Sequence, residues 1–210
     1  MLFADARQML SIEDFSTPAL PTGFHWHHEP TQWHTGNGLV IRTDPGTDFW
    51  QRTHYGFCRD NGHFLYVGLA GDFRFTAHLS FQPSAQYDQC GLMVRIDREN
   101  WIKASIEYET AAESRLGSVV TNLGYSDWAT QTISSSVNTM HYRINRRGSD
   151  FRIEAAEDGH QWQQLRITHL QKAVDEVAVG VYACSPTGTG FSCRVSHFET
   201  APNDWYPEET

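Results

Sequence analysis

Apolar residues in this chain recur at every second position, in short runs, and nowhere keep helical spacing for more than about two turns. The runs fall at roughly 23–28, 38–43, 65–68, 73–81, 87–96, 101–109, 117–122, 139–146, 150–156, 161–166, 176–183 and 191–199, with Gly, Asn, Asp and Ser between them. About a dozen such runs, each closed by turn residues, predict an all-β sandwich or barrel. "THLQKAVDEV" (168–177) comes nearest to a helical pattern. No repeat, low-complexity tract or Pro/Gly/Ser-rich linker divides the 210 residues. One domain, 1–210, is expected, long enough to bury a sizeable core.

The clearest hairpin is "LMVRIDRENWIKASIEYE", residues 92–109. Leu92, Val94, Ile96, Ile102, Ala104 and Ile106 form one stripe, and Met93, Arg95, Lys103, Ser105 and Glu107 the other. Pairing Asp97 with Trp101 leaves a three-residue loop in which Asn100 takes the left-handed backbone. That register sets Ile96 opposite Ile102, Arg95 opposite Lys103 and Gly91 opposite Glu107. A two-residue loop mixes the faces, and a one-residue slip inverts a strand's buried set. A second hairpin alternates Tyr142 and Ile144, then Phe151, Ile153 and Ala155, around a turn holding Gly148.

Composition excludes several classes. A formal net charge of −9, with no run of Lys or Arg, argues against nucleic acid as a partner. No stretch approaches eighteen consecutive apolar residues, so neither a spanning helix nor a membrane partner is expected. "MLFADARQML" lacks the pattern of a signal peptide. Cys58, Cys90, Cys184 and Cys193 form no C-x-x-C pair, and reduced thiols with a cytoplasmic location are the reading. Aromatic residues are 13% of a polar chain, with 7 Trp and 8 Tyr.

"TDFWQRTHYGF" (47–57), "YDQCGLMVRIDRENWIKASIEYE" (87–109), "SVVTNLGYSDW" (118–128), "VGVYACSP" and "GFSCRVSHFE" (179–199) carry a resemblance. Over about residues 12–200 the chain resembles a domain-of-unknown-function family that includes fungal "regulation of enolase" proteins. That family is placed in the concanavalin A-like lectin/glucanase superfamily. The resemblance implies a jelly-roll β sandwich of two antiparallel sheets with a concave face. Similar modules occur as accessory domains of β-xylosidase-type glycoside hydrolases. Such likeness concerns the fold and brings no mechanism with it.

The polar stripe, extended upstream by twos, gains Tyr87, Gln89 and Gly91. It then combines an aromatic platform, an amide, a guanidinium, an ammonium and a carboxylate, a mixture suited to hydroxyl-rich ligands. Gly91 beside Glu107 would admit a ligand close to the backbone. The alternative is a solvated face with cross-strand ion pairs worth about 0.2–1 kcal/mol each. "DFW" (48–50) and "SDW" (126–128) each set an acid beside an aromatic near a loop. Trp50 and Trp128 can stack on a ligand while Asp48 and Asp127 accept hydrogen bonds; otherwise the rings are core anchors and the acids shape turns.

Other chemistries are weaker. Glu107 and Glu109 lie two apart on a strand, roughly 6–7 Å by strand rise, near the separation of a retaining pair. "EYETAAE" (107–113) nevertheless departs from the E-x-D-x-x-E strand motif of the superfamily's glucanases. His25, His27 and His28, with Glu29 or His34, approach zinc spacing without a complete ligand set. "TDPGTD" (43–48) is a thin calcium candidate. No G-x-S-x-G elbow or activated Cys is present, and "GTG" (188–190) suits a hairpin turn. No cofactor, metal or catalytic residue is assigned. The site expected is Trp50, Tyr87, Gln89, Arg95, Lys103, Glu107, Asp127 and Trp128, in a non-catalytic module for a saccharide or sugar-phosphate-like metabolite. The alternatives are a regulatory module with a protein partner, its surface around Trp205, Tyr206 and the N-terminal segment, and a divergent glycoside hydrolase.

Overall fold

The computed structural model describes residues 11–205. Two antiparallel sheets pack face to face, and the described residues contain no helix. One sheet runs β15 (Gln163–His169), β14 (Asp150–Ala156), β13 (Thr139–Arg147), β8 (Phe73–Gln82), β17 (Ser192–Pro202), β4 (Leu39–Arg42) and β3 (Gln32–His34), with β1 (Ser11–Glu13) also on β17. The other runs β12 (Tyr125–Ser134), β11 (Glu113–Asn122), β10 (Asn100–Tyr108), β9 (Gln89–Asp97), β16 (Glu176–Cys184), β7 (His63–Ala70) and β2 (His25–His27). A two-stranded ribbon, β5 (Phe49–Gln51) with β6 (Cys58–Asp60), stands apart from both.

Period-two patterning builds the core. In β8, Phe73, Phe75, Ala77, Leu79 and Phe81 point inward while the residues between them are half-exposed. They meet Leu92, Val94, Ile102, Ala104 and Ile106 of the facing sheet. The N–H of Ile106 donates to the Tyr142 hydroxyl at 2.8 Å, tying the sheets together through an otherwise apolar layer.

Strands β9 and β10 break the one-face rule: six residues of the first and seven of the second are buried in unbroken runs. Strands buried continuously are covered on both faces. Their outer face carries a second apolar cluster, built from Phe49, Trp50, Phe64, Met93, Trp101 and Tyr182. The polar stripe of this hairpin is therefore sheltered.

The hairpin's register differs from the one expected. Asp97 pairs with Asn100 around a two-residue turn, and a bulge between Asn100 and Trp101 restores the alternation. Ile102 lies opposite Val94, Lys103 opposite Met93 and Glu107 opposite Gln89. The bulge leaves Ile96 of β9 as the extra residue and so restores the parity that a three-residue loop would have given; the faces survive while every partner shifts by two. Asp97 Oδ1 fixes the turn by accepting from the Glu99 N–H at 2.8 Å and from Asn100 Nδ2 at 3.0 Å. Asn100 does not adopt positive φ. Residues 170–175 are a loop, and strand β16 begins at Glu176.

Candidate functional site

The segment from Thr43 to Gly62 closes over the outer face of the second sheet. The Thr43 and Gly46 N–H groups donate to Phe191 and Ser185 carbonyls, both at 2.9 Å, and the Asp48 carbonyl accepts from Asn61 and Gly62. Phe49 is the plug, fully buried against Trp101 and Tyr182 with ring centroids 6.2 and 6.1 Å away. Gly62 permits this seat, since a Cβ there would lie 2.3 Å from the Phe49 ring and 2.5 Å from Cys184 Sγ. Arg52 latches the far end of the ribbon, donating to Gly124 O at 2.9 Å and Glu99 Oε1 at 2.8 Å.

Beside the plug lies a pocket of about 410 Å³. Trp50, Tyr55, Phe57, Tyr87 and Trp128 wall it, and Asp48, Gln89, Lys103 and Glu107 form its polar floor. Tyr55 stacks on Phe57 at 5.7 Å and 20°, and meets Trp50 edge-on at 5.5 Å. Trp128 is 40% exposed and Tyr55 56%, although both are large apolar rings. Tyr87 holds a left-handed backbone at φ 71°, its N–H bonded to Tyr108 O at 2.7 Å. A bulky residue in that region is strained, and such strain concentrates at binding sites.

A directed chain of hydrogen bonds organises the floor. Lys103 Nζ donates to Phe49 O and to Gln89 Oε1, both at 2.9 Å, and lies 3.7 Å from Asp48 Oδ1. The Tyr182 hydroxyl donates to the same Gln89 oxygen at 3.0 Å. Two donors on that oxygen fix the amide's orientation, so Gln89 Nε2 must face Glu107, donating to Oε2 at 2.7 Å. Burial pushes the Glu107 carboxyl up to about 8; Lys103 and the Gln89 bond oppose this, and Asp48 and Glu109 add to it. At neutral pH Glu107 is mostly an undissociated acid, a donor at the pocket floor.

Six of the eight expected site residues, Trp50, Tyr87, Gln89, Lys103, Glu107 and Trp128, line this pocket. Arg95 does not. It shares their face of β9 but pairs with Trp101, and its Nη2 donates to Asp60 Oδ2 at 2.9 Å. Asp127 does not either: neighbours on a strand point to opposite faces, so it turns away from Trp128 and accepts from Arg166 Nη2 at 2.7 Å. Gly91 lies opposite Ser105, not Glu107, and a Cβ there would come 1.9 Å from the Ala104 carbonyl oxygen. It serves close strand packing rather than ligand approach. Glu109 accepts from Gln86 at 2.9 Å and does not line the pocket, so the Glu107–Glu109 pair is not assembled there.

Tyr55, Phe57, Arg59, Pro186 and Thr187 also line the pocket and fall outside the sequence expectation. "THYGF", following "DFW" within a few residues, holds the signal for the two rings; nothing local singles out Arg59. His27 bonds the Asp60 carbonyl at 3.0 Å, and its ring stacks on Phe49. Among the described residues no three His, Cys, Asp or Glu side chains converge as a metal site. Asp44 and Asp48 of the calcium candidate face different partners, Thr31 and Lys103. Trp205 packs under Arg152 at 5.7 Å, whereas Tyr206 and residues 1–10 lie outside the described residues.

These features define a two-sheet β sandwich with an aromatic-walled pocket on the outer face of one sheet. The chain belongs to the family described as "Protein of unknown function (DUF1349)", whose model matches residues 26–203. It is 37% identical over 181 residues to "Regulation of enolase protein 1" of Saccharomyces cerevisiae, covering 84% of this chain and 89% of the relative. It also superposes on the crystal structure of a functionally unknown protein from Saccharomyces cerevisiae with a TM-score of 0.80 at 32% identity, covering 86% of this chain and 97% of the other. The GH43 protein BlXynB from Bacillus licheniformis gives a TM-score of 0.71 at 14% identity, covering 91% of this chain but 39% of that one. The last likeness is one of fold.

Proposed function

We propose that this protein is a non-catalytic binding module whose pocket receives a saccharide or a sugar-phosphate-like metabolite. The observation that carries the reading is the aromatic wall of Trp50, Tyr87 and Trp128 standing over a floor of amide, ammonium and carboxyl. Sugar rings present C–H faces to aromatic rings and hydroxyls to groups that donate and accept together. Gln89, Lys103 and Glu107 are already oriented by one another, so little ordering is required on binding. A volume of about 410 Å³ suits one or two sugar units.

Calorimetry against neutral and phosphorylated sugars tests this, with Trp128→Ala and Glu107→Gln beside the unaltered chain. Binding that drops tenfold or more in Trp128→Ala supports the reading. Absence of binding across the panel, or binding indifferent to both changes, removes it.

The name of the yeast relative favours a second reading, a regulatory contact with an enzyme of carbohydrate metabolism. Enolase retained on the immobilised protein without any sugar supports that reading. Its failure to bind purified enolase in either the presence or the absence of sugar removes it.

A further inference from the structure

We propose that the ligand is an acidic sugar, and that Arg59 at the mouth of the pocket receives its negatively charged substituent. The inference rests on the saccharide reading above and narrows its ligand class.

Two cations line the pocket, and their situations differ. Lys103 is buried and committed, to Phe49 O, to Gln89 and to Asp48. Arg59 is exposed, has no carboxylate within ion-pair distance among the described residues, and makes one long contact of 3.5 Å, to the carbonyl of its neighbour Cys58. Its guanidinium rests 5.4 Å from the centre of the Phe57 ring. That contact holds the fork over a pocket wall without using its donors. Arg59 lies opposite Trp50 in the ribbon, so both side chains belong to one face.

In a chain with a formal net charge of −9, an uncompensated guanidinium among aromatic rings marks where an anion is accepted. A carboxylate or phosphate on a sugar ring seated against Trp50 would meet two parallel N–H donors there. The floor raises no obstacle. Lys103 balances Asp48, and Glu107 is mostly undissociated at neutral pH because of its burial.

Calorimetry at pH 7 with matched hexose, hexuronate and hexose phosphate separates the possibilities. An anionic member of a set binding at least tenfold tighter than its neutral parent supports the proposal, provided that Arg59→Ala abolishes the difference by weakening the anionic member at least tenfold more than the neutral sugar. Retention of part of the preference by Arg59→Lys, and its loss between about 50 and 500 mM salt, are also expected. Equal binding of neutral and anionic members overturns the proposal and leaves the saccharide reading standing. Inorganic phosphate binding as tightly as the hexose phosphate overturns it too, since no sugar would then be recognised. No binding by any sugar overturns both. Comparison of uronate with phosphate assigns the anion.

Discussion

Gln89 and Glu107 face each other across β9 and β10, Nε2 donating to Oε2 at 2.7 Å. Because Lys103 and Tyr182 occupy the Gln89 oxygen, the amide cannot turn over to accept from Glu107. The carboxyl thus receives one hydrogen bond in a site that resists its ionisation, and its own proton is free for a ligand.

Glu107 should make the fold less stable as pH rises. Its folded pKa, about 8, exceeds its ordinary value of 4.5, so the folded chain binds more protons than the unfolded one between those values. The group costs nothing below about pH 4.5, and its cost grows through the window to a plateau above 8. Lys103, Asp48 and Glu109 are included in that balance, while Arg115, opposite Glu107 on β11, is engaged with Thr132 and Glu113. Glu107→Gln keeps the Gln89 bond and removes the charge. Urea unfolding should show it more stable than the unaltered chain by about 1–3 kcal/mol at about pH 9 and equal at about pH 4.5. A constant difference across that range would contradict the shift.

Lys103→Met should be among the most damaging single changes in the outer cluster. The substitution roughly conserves volume but leaves Phe49 O without the ammonium, takes one of two donors from Gln89 Oε1, and leaves Asp48 without its counter-charge. Removing one partner of a buried charged network costs about 3–5 kcal/mol at the upper end. We expect about 2–4 kcal/mol by urea unfolding, because Tyr182 still donates to Gln89. A cost below about 1 kcal/mol would mean that the ammonium is incidental.

Period and parity are readable in the sequence; coverage is not. Alternation in 87–109, read with a three-residue loop, puts Gln89, Lys103 and Glu107 on one face, and the bulge beside the two-residue turn keeps that parity while shifting partners by two. Asp127 is misplaced by reading "SDW" as a loop pair, since β12 is a strand that sends adjacent residues to opposite faces. That strand is hard to see in the sequence because it is an edge, exposed at eight of its ten positions, all but Ser126 and Ile133, with no apolar stripe to announce it. Arg95 and Arg59 exchange importance for a longer-range reason. The fold-over of residues 43–62 pairs Asp60 with Arg95 and carries Arg59 to the pocket mouth, and no local period encodes where a connection lands.

Tyr87 tests whether the pocket holds backbone strain. At φ 71° a residue with a Cβ is disfavoured, by roughly 1 kcal/mol relative to glycine. Tyr87→Gly and Tyr87→Ala both delete the ring, so the difference between them isolates the backbone. Tyr87→Gly should be the more stable of the two by about 0.5–1 kcal/mol, the order set by the left-handed backbone of this turn. Both should weaken sugar binding equally if the ring alone contacts the ligand. The reverse stability order would show that this backbone relaxes once the ring is gone.

On the outer face of the first sheet, His141, His78 and His197 stand in register across β13, β8 and β17. The rings of His78 and His141 stack at 3.9 Å and 13°. Burial, then the neighbouring His78 and His197, pushes His141 down to about 4; Asp158 opposes this and His160 adds to it. His78 is lowered as well, by burial and by His197, which itself lies 3.1 Å from Glu199. A base whose folded pKa is depressed contributes stability that is present above its unfolded value near 6.5 and is lost as pH falls toward 4. The stack is partly open to water, so the loss is discounted to about 1–2 kcal/mol between about pH 7 and pH 4.5. His141→Gln removes the titration, and its urea stability should fall less over that interval by the same amount. Parallel stability curves for the two chains would show that the stack accommodates the proton without cost.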